Sequence, residues 1–241
     1  MALPKSAMAA TATSGEVLAL VSPSSQISSL TNNQIHGLDA SMKDLPWRIY
    51  GATPGKLGCA TLSTCTFGPK ASKKSLVILG DSHAMMWIPA ILPNAIKLGY
   101  KISLVWEPAC PIASLSVPAL FPPDFRPNTR ASWLSSTLTA VAHAAPQAII
   151  LGERSARVIA QGGTVPFSSA SWQAGLQTTI AALKGAHTKI ALLGDTPYSS
   201  QQPASCLAIH PKAVQSCGVA NPSPDYPGQQ IAEQAAASAT G

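Results

Sequence analysis

Between Ser75 and Leu193 the chain alternates four short apolar runs with three longer amphipathic stretches, a rhythm that few folds accept. The runs are Ser75-Leu76-Val77-Ile78-Leu79, Ile102-Ser103-Leu104-Val105-Trp106, Ala148-Ile149-Ile150-Leu151 and Ile190-Ala191-Leu192-Leu193. Helix-length segments fill 83–98, 132–144 and 168–186 between them. Short, continuously apolar runs suit strands buried on both faces, and such strands joined through helices form a parallel sheet by right-handed crossovers. The pattern predicts β-α-β-α-β-α-β in a three-layer α/β domain. Pro89 and Pro93 fall inside the first helical stretch and predict a kink or a late start there.

The 241 residues fit one domain with a tail, since a domain typically holds roughly 100 to 200 residues. Residues 1–45 read as a polar leader or linker without sustained periodicity, 46–228 as the α/β domain, and 229–241 as a tail. The net charge of +6 is scattered, and the basic cluster from Lys70 to Lys74 lacks the interleaved aromatics of a nucleic-acid surface. No run of 18 apolar residues is present to span a bilayer, and Val17 to Val21 is too short and too far in for a signal-peptide core.

Five cysteines stand at 59, 65, 110, 206 and 217. Cys59/Cys65 and Cys206/Cys217 bracket short polar stretches, which suits two local disulfides in an oxidising compartment and leaves Cys110 odd. With no CxxC and no adjacent histidine pair, the sequence offers no zinc site and no other metal centre.

In doubly wound sheets ligands bind at the carboxyl ends of the strands, near the point where strand order reverses. Those ends read Gly80-Asp81-Ser82-His83, Glu107-Pro108-Ala109-Cys110-Pro111, Gly152-Glu153-Arg154 and Gly194-Asp195-Thr196-Pro197. A serine that follows an apolar strand and opens a helix is lifted out of the sheet, beside backbone N–H groups aimed at a developing oxyanion. The plainer reading is that Asp81 or Ser82 only caps the helix. A G-x-S-x-G-like elbow of the α/β-hydrolases is a third reading, but there the serine follows several earlier strands, and no convincing strand signals precede residue 75 here.

Leu76 through Ala84, followed by Trp87-Ile88-Pro89-Ala90, resembles the first block of the SGNH domains fused to membrane acyltransferase-3 proteins. Gly58-Cys59 through Cys65-Thr66-Phe67-Gly68 looks like the lead-in to that block, and Ala109-Cys110-Pro111 like the stretch after its second strand. Asp195-Thr196-Pro197 with Cys206-Leu207-Ala208-Ile209-His210-Pro211 through Cys217 looks like its late loop; the likeness spans about 45–225. The resemblance implies a flavodoxin-like SGNH fold on the extracytoplasmic, membrane-associated side. It implies a Ser82 acyl-enzyme that moves an acyl group from a membrane acyltransferase domain to a sugar hydroxyl of an envelope polysaccharide or glycolipid, without cofactor or metal. Ser82 would be the nucleophile with Asp81 in support, and Gly80, Ser82, His83 and Arg154 would line the oxyanion pocket.

The chain departs from that pattern in three ways. No Asp-x-x-His occurs, so the expected catalytic histidine and a further strand are missing, an edge of the sheet is left open, and low esterase activity or a non-catalytic, carbohydrate-binding relic is the alternative expectation. His210 is the substitute base to consider, because His36, His143 and His187 lie on leader or helix positions and His83 follows the nucleophile too closely to fold back onto it. Finally, Arg130 stands before Trp133 where the resemblance places a cysteine partner for Cys110, and no Asn follows the second or third strand as an oxyanion donor.

Overall fold

The computed structural model describes residues 26–43, 59–108, 110–115, 127–154, 168–185, 187–196, 203–218 and 226–238, with isolated positions 15, 19 and 23. Five strands form one sheet in the order β1-β3-β2-β4-β5: β1 Thr66–Phe67, β2 Ser75–Gly80, β3 Lys101–Trp106, β4 Ala148–Gly152 and β5 Lys189–Leu193. All pairings are parallel except β1 with β3. The four long strands are those the apolar runs predict. Their order, second-first-third-fourth, is that of a flavodoxin-like sheet and puts the topological switch at β2.

Alternate residues of each strand serve opposite layers. Leu76 and Ile78 of β2 join Ile102 and Leu104 under α2 (Ser82–Met86) and α3 (Ile88–Lys97), where Met85, Ile88 and Leu92 are buried. Val77 and Leu79 join Ile149 and Leu151 under α4 (Pro127–Ala144), α5 (Ser169–Leu183) and α7 (Tyr226–Ser238) through Val141, Trp172, Leu176, Ile180 and Ala236. Burying a side chain of this size is worth about 1.5–3 kcal/mol, so the two clusters clamp the sheet from both sides.

The first helical stretch is two helices. Trp87 ends α2 and starts α3, with Pro89 in the first turn of α3, where its missing N–H costs nothing, and Pro93 inside it. Three helices lie outside the predicted rhythm. In the leader, α1 (Asn32–Lys43) packs on α6 (Pro203–Ile209), and Leu30 N–H donates to Pro211 O at 2.7 Å. Across position 229, α7 packs on α5 and buries Ala232 and Ala236.

The Cys59–Cys65 and Cys206–Cys217 disulfides are both closed, and Cys110 is buried outside them. The first holds a loop against the outer edge of β3, where Leu104 N–H donates to Cys65 O and Trp106 N–H to Cys59 O, each at 3.0 Å. Among the described residues no strand pairs with the outer side of β5. No helix is long and apolar enough to cross a membrane among the described residues.

Candidate active site

Register puts the strand ends in line. Gly80 pairs with Trp106 on one side and Gly152 on the other, and Gly152 pairs with Leu193. The residues that follow, Asp81, Glu107, Glu153 and Gly194, therefore leave the sheet at one level. Gly80 is dictated by contact: a Cβ there would lie 1.7 Å from Gly152 O and 2.6 Å from the Ala84 Cβ. With hydrogen in its place, the start of α2 sits directly on the ends of β2 and β4.

Asp81 is the N-cap of α2 and is fully buried. Its Oδ1 accepts the His83 N–H at 2.7 Å, and its Oδ2 accepts the Arg154 N–H at 2.9 Å, so one carboxyl ties the β2 turn to the β4 turn. The helix-capping reading of Asp81 therefore holds alongside any chemical one. Burial raises its pKa above the ordinary carboxyl value, against the pull of the two N–H groups and the nearby His83. Ser82 is the first residue of α2 and is half-buried. An N–H at that position has no partner within its own helix, and the Ser82 hydroxyl makes no hydrogen bond to a side chain among the described residues.

His83 reaches across β4. Its Nδ1 lies 2.5 Å from Asp195 Oδ1, and the same oxygen accepts the Thr196 N–H at 2.8 Å. Asp195 is a buried residue that leaves β5 two positions after Leu193. Glu153, also buried, turns the other way: its Oε2 accepts the N–H groups of Ile112 and Ala113 at 2.8 and 3.0 Å, fixing the loop after β3. The Thr179 hydroxyl holds Ile112 O, and Ser114 N–H donates to Gly175 O, so α5 anchors the same loop. Burial, with the charges of Asp81 and Glu233, drives the Glu153 pKa well above its usual range. Its Oε1 is buried without a hydrogen-bond partner among the described residues.

The structure thus brings Gly80, Asp81, Ser82, His83 and the Arg154 backbone together. His210 ends α6 on the surface, and His36, His143 and His187 are exposed as well. Sequence reasoning missed Asp195 as a partner of His83 and Glu153 as the anchor of the β3 loop. Both stand just past strand ends, the position that marked Ser82. Among the described residues no group of three or more His, Cys, Asp or Glu side chains is placed to hold a metal ion.

A flavodoxin-like, mostly parallel sheet with helices on both faces and a serine on the strand-to-helix turn at its switch point defines the class: a three-layer α/β domain. The chain belongs to the SGNH domain family, described as fused to AT3 domains, whose model matches residues 51–239. No curated protein matches the sequence. Among solved structures, the periplasmic domain of a lipopolysaccharide acetyltransferase from Salmonella ser. Paratyphi A matches at 17% identity with a TM-score of 0.45, covering 58% of this chain and 52% of that one. The match therefore spans about half the length of that domain.

Proposed function

We propose that this chain is the SGNH domain of an O-acyltransferase, in which Ser82 takes an acyl group from a membrane acyltransferase-3 domain and passes it to a sugar hydroxyl of an envelope polysaccharide or glycolipid. The observation that carries this reading is the placement of Ser82: first residue of a helix, at the switch point, on a turn that Asp81 locks from below. The family description supports the membrane partner. The two disulfides support an extracytoplasmic location, where such bonds persist. In this reading the Ser82 N–H is one oxyanion donor, and Gly80, His83 and Arg154 shape the pocket around it. A non-catalytic, carbohydrate-binding role is the second reading, favoured by a Ser82 hydroxyl that makes no hydrogen bond to a side chain among the described residues.

Labelling with a fluorophosphonate probe separates the two. Wild-type chain is expected to label and Ser82→Ala is not. Equal labelling of both, or of neither, would reject Ser82 as the nucleophile and favour the binding role.

A further inference from the structure

We propose that a cleft at the amino-terminal edge of the sheet, at the far end from Ser82, binds an acidic glycan; this rests on the reading of the acceptor as an envelope sugar polymer and adds that the polymer is negatively charged. The four long strands run parallel, so their starts share one edge as their ends share the other. Lys101 opens β3, Lys189 opens β5, Lys70, Lys73 and Lys74 lie on the approach to β2, and Lys97 closes α3 beside them. All of these lysines are exposed. The acidic side chains that the structure describes, Asp81, Glu107, Glu153, Asp195 and Glu233, stand instead at or beside the strand ends. The amino-terminal edge is therefore positive, with no carboxylate among the described residues to offset it, and a face of this kind attracts polyanions.

Helix ends explain part of this charge, since carbonyls at a helix C-terminus favour cations. Lys97 sits in the last turn of α3, and Lys74 Nζ donates to Leu98 O at 3.1 Å while lying 5.8 Å from the centre of the Tyr100 ring. Lys70 and Lys101 differ: neither makes a hydrogen bond or ion pair among the described residues. Both line a cavity of about 510 Å³ between the Cys59–Cys65 loop, the starts of β2 and β3, and the end of α4. Leu62, Val77 and Pro146 give it apolar wall, and Ser103 breaks the apolar run of β3 to line it as well. The Ser103 hydroxyl also has no hydrogen bond among the described residues. Unpaired ammonium groups and a hydroxyl over apolar wall match an acidic sugar, which offers a carboxylate or phosphate, hydroxyls and a C–H face, and the volume is that of an ordinary ligand site. A bilayer would need a projecting surface rather than a hollow one, and no aromatic side chain lines the cavity to stack on a nucleic-acid base. The six residues of β2 separate the two edges by about 20 Å at about 3.3 Å per residue. A polymer held at one edge can therefore present another of its hydroxyls at Ser82.

The test is calorimetric titration of the 241-residue chain with polygalacturonate, compared with neutral dextran and with phosphatidylcholine vesicles containing phosphatidylglycerol. Binding is expected for polygalacturonate alone and is expected to weaken as salt screens the lysines. The double variant Lys70→Gln/Lys101→Gln is expected to raise Kd about tenfold or more, because it removes two charged partners of the anion. Lys73→Gln/Lys189→Gln makes the same change in net charge outside the cavity and is expected to raise Kd less than about threefold. Ser103→Leu, which fills the cavity without changing charge, is expected to weaken binding too; if it does not fold, the two lysine pairs decide. Equal losses in the two pairs would overturn the cleft, and equal binding of dextran would overturn the acidic ligand. Absence of glycan binding, with or without binding to the vesicles, would overturn the site altogether. Fluorophosphonate labelling of Ser82 is scored on the same chain. Labelling without glycan binding removes this site and leaves the nucleophile, and glycan binding without labelling does the reverse.

Discussion

Four acidic side chains, Asp81, Glu153, Asp195 and Glu233, are buried on or beside the carboxyl-terminal edge of the sheet, and the protein handles them unequally. Asp81 has two backbone N–H donors on two oxygens, whereas Glu153 has two on one oxygen. Of these two, Glu153 is therefore the acid that folding more strongly favours in its neutral form. Because its native pKa is raised, the native state holds this proton more tightly than the unfolded chain. The stabilisation is complete below about pH 4.5, the ordinary value of a glutamic acid, and is lost as pH rises through the native pKa. Glu153→Gln, which has the shape of the neutral acid, is expected to match wild type in urea unfolding near about pH 5 and to become the more stable of the two at higher pH. Glu153→Ala is expected to cost about 1–3 kcal/mol for each N–H it strands. A Gln variant that tracks wild type at every pH would mean that Glu153 ionises in the fold without penalty.

The helix that carries Ser82 depends on what is absent beneath it. Gly80 and Gly152 face one another at the ends of β2 and β4, and Ala84 of α2 rests on both. Gly80→Ala would drive a methyl group into the Gly152 carbonyl, which must move, and overpacking of this kind costs about 1–3 kcal/mol and sometimes more. The variant is expected to lower Tm and to abolish fluorophosphonate labelling while Ser82 is intact; unchanged labelling would show that the turn tolerates separation from β4. Much of this element was legible in advance. Continuous apolar runs mark the four parallel strands, and glycine before Asp-Ser marks the turn, because both signals are local. The division of 83–98 into α2 and α3 was half legible, since Pro89 announces a helix start that periodicity blurs. The His83–Asp195 pair was not legible, because 112 positions separate its members and only β-sheet register brings them together. For the same reason α1 and α7 escaped: their cover comes from packing on α6 and α5, not from a strong pattern of their own.

At the scale of the whole molecule, the sheet has two differently finished edges. On the β3 side the Cys59–Cys65 loop and β1 satisfy the outer backbone of the strand, which removes an aggregation-prone edge. The Cys206–Cys217 loop lies elsewhere, where residues 27–30 fold over it: Val214 N–H donates to Ser28 O at 3.2 Å and Gln215 Nε2 to Ile27 O at 2.9 Å. Each disulfide thus fixes a loop to which a distant part of the chain is attached. Closing rings of this size stabilises by roughly 2–3 kcal/mol each through the unfolded state, a large share of the roughly 5–15 kcal/mol that holds a typical domain. Cys110 is buried and outside both bridges, so the three conditions of a thiol assay give three different answers. Native chain is expected to react slowly or not at all with an alkylating reagent; denatured, unreduced chain is expected to show one thiol; and denatured, reduced chain is expected to show all five cysteines. Reductant alone is expected to lower Tm, with Cys206→Ser reproducing part of the fall. Five thiols before reduction would remove both bridges, and with them the argument that this domain works outside the reducing interior of the cell.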